Sequence, residues 1–493
     1  MQRILPLRSE HALFDIAQTR ALEQRAAATL PPYTLMARAG EATARLALAI
    51  APHAQHIWVA VGPGNNGGDG LEAARHLQGW GKSVAVTLTG DAAALPTDAR
   101  AAFARAQAAG VRTATEAPAS PGLAIDALLG IGATRAPQGA IDAAIRQLNA
   151  VPCPVLAIDL PSGLHADTGQ SLGAACVTAT HTLTMLTLKP GLFTASGRDH
   201  AGSVWLDTLG VDTPTDPPTA WLCGATARQA RRHVQHKGSF GDVAVVGGGP
   251  GMSGAALLAA RAAHAAGAGR VFVELLDRSG LTLDPLRPEL MFRARWTTHS
   301  ANEVLSRSSV VCGCGGGDAV RAPLPRLLSL AGKLVLDADA LNAMASDAAA
   351  LMPLLRARAG RGLATVLTPH PLEAARLLAC TTAEVQADRL RAAQALADHC
   401  EAIVVLKGSG SVIAAPHATP RINSTGNASL ATAGTGDVLA GWLGGRWAQL
   451  ESNDAATAFA VVVQAVAEHG AAAEPPPPGA LLANDLIARL HAR

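Results

Sequence analysis

Ile57-Trp58-Val59-Ala60-Val61 is a short apolar run. It passes directly into Gly62-Pro63-Gly64-Asn65-Asn66-Gly67-Gly68-Asp69-Gly70 and then into a helical segment. An uninterrupted apolar run of this length suits a strand covered on both faces, as in a parallel sheet. The unit recurs. Apolar runs at Val84–Leu88, Ile125–Leu129, Val155–Ile158 and Thr182–Leu186 alternate with helical segments. A helical lead-in over residues 8–50 precedes them, with Leu13, Ile16, Ala17 and Leu22 at helix-like spacing. Strands alternating with helices predict an α/β fold built on a parallel sheet.

Val211-Asp212-Thr213-Pro214-Thr215-Asp216-Pro217-Pro218-Thr219 is the best linker in the chain. After it the pattern restarts, with strands expected at Val243–Val246, Val271–Leu275, Val310–Cys312, Leu334–Leu336, Thr365–Leu367 and Ile403–Leu406. Two domains follow, residues 1–215 and 220–493, and 493 residues exceed one ordinary core. The segment Glu474–Gly479, with four consecutive prolines, reads as a surface loop.

Forty basic against 38 acidic residues leave a net charge of +2, which supplies no basic face for nucleic acid. One Tyr, seven Phe and seven Trp are too few for base-stacking platforms. The seven cysteines form no CxxC pair, so free thiols in a reducing compartment are expected. Met1–Pro6 has one Arg and no sustained apolar core, unlike a signal peptide, and no apolar stretch is long enough to span a membrane. A cytoplasmic protein and a homo-oligomer are the expectations.

The glycine run over residues 62–70 permits close backbone approach to a phosphate or ribose, while Asn65, Asn66 and Asp69 add oxygens that a plain turn does not need. Two more loops follow strands: Asp126 leads to Gly130-Ile131-Gly132-Ala133-Thr134-Arg135, and Asp159 leads to Pro161-Ser162-Gly163. Strand ends of an open parallel sheet line one crevice, so Asn66, Asp126, Asp159 and Ser162 converge there. Such hard oxygen donors suit K⁺ or Mg²⁺. One Asp at a strand end is as readily a helix N-cap, but three such loops together ask for more.

In the second half, Ala433-Gly434-Thr435-Gly436-Asp437 runs into the apolar stretch Val438–Leu443. Glycines turn several N–H groups toward one spot, and the positive end of a helix faces the same spot. An anion hole with a carboxylate beside it suits chemistry in which a phosphate is attacked or expelled while a base takes a proton. A nucleotide-using enzyme follows. Gly247–Ala255 and Gly313–Asp318 offer small-residue walls for a flat ligand, and Asp337 and Asp339 stand at a strand end. His370 reads as a ligand contact, and Lys407 either grips nucleotide phosphates or sits in an exposed hairpin.

The stretches GPGNNGGDG, DALLGIGATR and AIDLPSGLHADTG, with the lead-in Thr34–Gly40, resemble the YjeF-type epimerases of NAD(P)H-hydrate repair across residues 10–210. The resemblance implies a Rossmann-like domain in which Asn65, Asn66, Gly67, Gly68, Asp69, Gly130, Ile131, Gly132, Ala133, Thr134, Arg135 and Ala136 contact the hydrated cofactor (NADHX or NADPHX). It places catalytic Asp159 at the nicotinamide ring and K⁺ on Asn66, Asp126 and Ser162. Lys189, within Thr187–Gly191, contacts a phosphate or closes a surface strand.

The later segments KGSFGDVAVVGG, GMSGAALLA, DADALN, TPHPLEAARL, VVLKG and AGTGDVLAG are similar to the ribokinase-like, ADP-dependent NAD(P)H-hydrate dehydratases, over residues 225–490. That resemblance implies hydrate contacts at Ala255, Gly317, His370 and Asp437, with Asp437 as catalytic base. It implies ADP contacts at Lys407, Gly408, Ser409, Gly410, Ser411 and Gly436, Mg²⁺ arriving with ADP, and an anion hole of Gly434, Thr435 and Gly436. Cys314 departs from the pattern. The competing reading is a ribokinase-type small-molecule kinase with an accessory N-terminal binding domain.

Overall fold

His56–Val61 is an interior strand of the first sheet, and its side chains divide between two apolar layers: Ile57, Val59 and Val61 on one face, Trp58 and Ala60 on the other. Both layers are dry, which is why the strand reads as continuously apolar rather than alternating. The computed structural model describes residues 1–5, 9–212, 214–224, 234–277 and 280–493. Pro6, Thr213 of the Pro-rich linker and residues 225–233 at the start of the second resemblance lie outside them. The chain divides into two compact units, Met1–Trp221 and Leu222–Arg493.

In the first unit the sheet order is Gln2–Arg3, Ser203–Asp207, His181–Met185, Val155–Ile158, Leu123–Ala127, His56–Val61, Ser83–Leu88, Arg112–Ala114. All pairings are parallel except that of Gln2–Arg3. From His56–Val61 the chain builds outward to Arg112–Ala114. It then returns to lay Leu123–Ala127 on the other side of its first strand. The order reverses there, and the crevice beyond the strand ends at that point is where such sheets bind ligands.

The second unit repeats the device. Its order is Met291–Phe292, Arg270–Leu275, Asp242–Gly247, Ser309–Cys312, Lys333–Leu336, Thr365–Leu367, Ile403–Leu406, all parallel, followed by antiparallel Val412–Ala415 and Ala418–Asn423. Here the reversal falls between Asp242–Gly247 and Ser309–Cys312. Val243 and Val245 face one apolar layer, Ala244 and Val246 the other.

Three local expectations change. The lead-in is two helices, Ile16–Thr29 and Thr34–Ile50, and the first starts only after Asp15, which forms a capping box with Gln18. Leu13 therefore precedes the helix. The strand expected to reach Leu129 ends at Ala127, because the Asp126 carboxylate accepts from Leu128 N at 3.1 Å and turns the chain. The glycine run is not a loop to Gly70, since a helix spans Asn65–Gly79. Gly70 lies within it for packing: a Cβ there would stand 2.4 Å from that of Ala127. Among the described residues no helix is long and apolar enough to cross a membrane.

Candidate active sites

At the switch point of the first unit lies a cavity of about 620 Å³, a usual size for a small-molecule site. Pro63–Asn66 and Leu128–Ala133 come from the two strand ends that flank the reversal, and Thr19, Arg20 and Glu23 come from the first helix. Asp69, Asp159 and Lys189 also line it. Of the residues expected on the hydrate, Asn65, Asn66, Asp69, Gly130, Ile131, Gly132, Ala133 and Asp159 meet in this wall. Gly67, Gly68, Thr134, Arg135 and Ala136 are not part of it. Gly68 instead faces Met36, which a Cβ would approach within 2.5 Å.

Asp159 leaves its strand with φ +65, a left-handed conformation uncommon outside glycine. The turn aims its carboxylate at Lys189, whose Nζ donates to Asp159 Oδ1 at 2.6 Å, Thr184 Oγ1 at 2.9 Å and the Met185 carbonyl at 2.7 Å. Lys189 is thus buried, with all three ammonium protons directed to acceptors inside the protein. Ile131 N and Met185 N also point at the Asp159 carboxylate, both at 3.3 Å. Two more carboxyls share the space. Burial pushes Asp69 well above the usual carboxylate range, and the charges of Asp159, Glu23 and Glu72 add to it. Glu23 is raised by burial and by Asp159, against the pull of Lys189 and Arg20. The cavity therefore combines the Lys189–Asp159 ion pair with two carboxyls whose affinity for a proton is raised.

Behind this wall Asp126 is fully buried. Its carboxylate accepts from Ser162 Oγ at 2.6 Å, Ser162 N at 2.8 Å and Leu128 N. Burial pushes it up to about 6 in spite of these donors, and no cationic side chain pairs with it among the described residues. Ser162 Oγ accepts in turn from Leu129 N at 2.8 Å. The carboxamide of Asn66 packs under Gly130, and its Nδ2 is buried without a partner.

In the second unit Gly434 adopts φ +90 and caps the helix Thr435–Ala448. A Cβ on Gly434 would stand 2.6 Å from Leu258 Cδ1, so both conformation and space require glycine. The first intrahelical bond here runs from Val438 N to the Gly434 carbonyl, leaving the N–H groups of Thr435, Gly436 and Asp437 at the positive helix end. The Thr435 hydroxyl is not part of this hole. It donates inward to the carbonyls of Leu430 and Thr432, both at 2.9 Å.

One ligand atom from each of Asp437, Asp337 and Cys314 lies within 4.8 Å of the others. Asp337 accepts from Lys407 Nζ at 2.8 Å and from Thr368 Oγ1 at 2.7 Å. Burial opposes the charge of Lys407, but Asp337 and Glu373 outweigh that and hold its pKa above the ordinary value. Asp437 is pushed up to about 6 by burial, then by the Asp337 charge, while a hydrogen bond from Cys314 and the Lys407 charge pull it down. Burial holds Cys314 well above the usual thiol range, so it remains a thiol that can donate.

Ala255 lies against Gly315, where an added Cβ would be 2.8 Å from that of Ala255, and Gly317 N donates to Asp339 at 2.8 Å. Lys407–Ser411 is the hairpin connection between Ile403–Leu406 and Val412–Ala415. Its lysine does not project outward: the ammonium points at Asp337 and would be 3.4 Å from a Cβ on Gly436. His370 caps the helix Pro371–Leu378, with Nδ1 accepting from Leu372 N at 3.1 Å and Nε2 lying 3.1 Å from Glu373 Oε1. Its ring is also half open to solvent and so available to a ligand. Sequence reading missed the two ion pairs, Lys189–Asp159 and Lys407–Asp337. The available signal was a lysine near the end of an apolar strand: Lys407 directly follows Ile403–Leu406, and Lys189 comes shortly after His181–Met185.

The family described as YjeF-related protein N-terminus matches residues 32–191, and the NAD(P)H-hydrate dehydratase family matches residues 243–490. The bifunctional NAD(P)H-hydrate repair enzyme Nnr of Escherichia coli K12 is 37% identical over 493 residues, covering 95% of this chain and 90% of that protein. The enzyme of the same name from Coxiella burnetii is 36% identical over 499 residues, covering 97% and 98%. A solved ADP/ATP-dependent NAD(P)H-hydrate dehydratase from Bacillus subtilis, co-crystallised with ATP and Mg²⁺, is 26% identical. It covers 53% of this chain and 91% of that one, with a TM-score of 0.41.

Proposed function

The chain belongs to the family of bifunctional NAD(P)H-hydrate repair enzymes, and from that premise we propose that each unit carries one half of the repair. The first interconverts the R and S epimers of NAD(P)HX. The second dehydrates the S form to NAD(P)H at the expense of ADP. The observation that carries the reading is Asp437, a carboxylate raised to about 6 and set beside the bare N–H groups of a helix start.

In the hydrate, C6 bears a hydroxyl next to ring nitrogen N1. Asp437, ionised at neutral pH, takes the hydroxyl proton as the oxygen attacks the terminal phosphorus of ADP. The N–H groups of Thr435, Gly436 and Asp437 meet the charge on the transferring phosphoryl group. AMP leaves. The nitrogen lone pair then expels phosphate, a far better leaving group than hydroxide, and loss of a C5 proton restores the ring double bond. Ala255, Gly317 and His370 contact the hydrate, and Lys407–Ser411 with Gly436 contact ADP. Lys407 acts at short range by holding Asp337. Mg²⁺ is proposed to arrive on the nucleotide. The nearest acidic oxygens share their space with the Lys407 ammonium and the Cys314 thiol, a poor set of donors for Mg²⁺, so no step is routed through the metal.

In the first unit, a proton from Asp69 or Glu23 lets the C6 hydroxyl depart as water with help from N1. Water then returns to the opposite face and gives its proton to the carboxylates around Asp159. The Lys189 ammonium fixes Asp159 against the ring. Asn66, Asp126 and Ser162 would hold K⁺. A fully buried carboxylate with oxygen neighbours and no protein cation fits such an ion, which would offset its charge. The work belongs in the cytoplasm, and the seven unbridged cysteines suit a reducing compartment.

The test is to incubate purified protein with mixed R and S NADHX, ADP and Mg²⁺ and follow the dihydronicotinamide band. Recovery of the whole mixture, faster than spontaneous epimerisation and with phosphate released, is expected. Recovery of the S share alone removes the epimerase half. Phosphate retained on the substrate restores the kinase reading.

A further inference from the structure

The second unit holds another cavity, of about 860 Å³, that none of the residues assigned to hydrate or ADP line. It opens beyond the end of the strand Arg270–Leu275, the neighbour of Asp242–Gly247 on the side away from Ser309–Cys312. The glycine run after Cys314 links its wall to the Asp437 site. Cys314, one atom of which lies within 4.8 Å of Asp437, begins a glycine run in which a Cβ on Gly316 would stand 3.5 Å from Leu276 Cδ1. Leu276, Asp277 and Ala319 line the cavity, and Asp277 N donates to the Gly248 carbonyl at 2.8 Å.

The lining has a specific chemistry. Arg293 and Arg295 both contribute, both are exposed, and neither is within ion-pair distance of a carboxylate among the described residues. Arg293 is braced by the Phe272 ring, 5.4 Å from its guanidinium. Asp277 receives the Ser253 hydroxyl on Oδ2, while its Oδ1 is buried with no hydrogen-bond partner. Leu276, Leu281 and Phe292 supply apolar surface. Unpaired guanidiniums suit a phosphate, and the apolar wall suits a flat base.

We propose that this cavity receives the adenosine end of the dinucleotide hydrate. Arg293 and Arg295 bind the phosphate on its ribose, so the dehydratase prefers NADPHX to NADHX. The inference rests on the dehydratase reading above. The nicotinamide reacts at Asp437, while the distal nucleotide is held in a place the chemistry does not use. Its binding energy is then nearly the same in ground and transition states, and it acts on KM.

The test uses the full chain carrying Arg293→Gln and Arg295→Gln, which keep side-chain length and remove charge. KM for S-NADPHX is expected to rise roughly tenfold or more. kcat should be unchanged, and KM for S-NADHX should move much less. An unchanged ratio of the two KM values overturns the proposal. Calorimetric titration of the same proteins with adenosine 2′,5′-bisphosphate and with AMP reads binding without turnover. Preference for the bisphosphate in the parent chain, lost in the variant, is the expected result, and equal binding of the bisphosphate by both proteins overturns the proposal. Should the parent chain dehydrate neither hydrate, the dehydratase reading fails while the titration still decides the site.

Discussion

Lys189→Met is the sharpest perturbation of the first unit. Methionine keeps the length and most of the volume of the stem, so the change isolates the ammonium. That ammonium is 1% exposed and its partner Asp159 13% exposed. Removing one member of a buried pair leaves an uncompensated charge, which costs about 3–5 kcal/mol. Asp159 reaches the cavity and hence some solvent, so the lower end, about 3 kcal/mol, applies. For a unit of this size 1 kcal/mol moves the midpoint by about 2–4 °C, giving a fall of about 6–12 °C. Calorimetry of the whole chain reads this shift. Conversion of R to S hydrate should fall by roughly 100-fold or more as Asp159 loses its position. Dehydration of pre-formed S hydrate by the same sample stays at the wild-type level and serves as the internal control. Adding Asp159→Asn removes the stranded charge, so the double variant should regain part of the lost stability. A Lys189→Met protein that melts and epimerises like the parent refutes the reasoning. So does a double variant that recovers nothing.

In the second unit, Asp437→Asn should abolish dehydration and leave epimerisation intact, and loss of both activities in a folded protein would sink the independence of the two sites. Asp437 is raised to about 6 and acts as a base only when ionised, so kcat for dehydration should fall about tenfold per pH unit below about 6, measured as a pH–rate profile. Cys314→Ala deletes the thiol hydrogen bond that favours the ionised carboxylate, so the acid limb of that profile should move to higher pH. Replacing K⁺ by choline should slow epimerisation and not dehydration, and Asp126→Asn should make the first activity insensitive to the exchange, as read by parallel assays of the two epimers.

The interior strands were legible because both their faces are buried. Val155–Ile158, Thr365–Leu367 and Ile403–Leu406 are each a bare apolar run, and each forms as a strand over those residues. Ala418–Asn423 was not legible, because Thr419, Pro420 and Arg421 carry no apolar pattern and the strand forms by pairing with its neighbours, Val412–Ala415 among them. The Gly62–Gly70 run was read as an open loop because glycine density marks turns. Its later glycines are instead helical residues pressed against the sheet or neighbouring helices, a fact about packing distance that composition does not carry. The convergence of Asn66 and Gly130–Ala133 could be anticipated from strand order alone. The ion pairs could not. Lys189 is 30 residues from Asp159 and Lys407 is 70 from Asp337, and a strand-end lysine can as well reach outward to a phosphate as inward to a carboxylate. His370-x-x-Glu373 could have been read as a capping box, a signal that competes with a ligand role at the same residues.

The two units solve one structural problem and diverge in where they spend a lysine. Both place one strand, His56–Val61 or Asp242–Gly247, inside the sheet, reverse the strand order beside it and gather glycine-rich loops at the reversal. In the first, the ammonium goes to the cavity carboxylate itself, Asp159, beside carboxyls whose affinity for a proton is raised. Such a site can give and take back a proton with no net change of charge, which suits an interconversion whose product is the mirror configuration of its substrate at one carbon. In the second, the ammonium goes to Asp337, leaving Asp437 as an unpaired carboxylate facing an anion hole. That site has a base on one side and positive potential on the other, the polarity needed when a hydroxyl oxygen loses a proton and gains a phosphoryl group. On the proposed reading, the chemistry of each half follows from which carboxylate the buried lysine neutralises. Moving that charge, by deleting Lys189 or by freeing Lys407 through Asp337→Asn, should disable the matching half and spare the other.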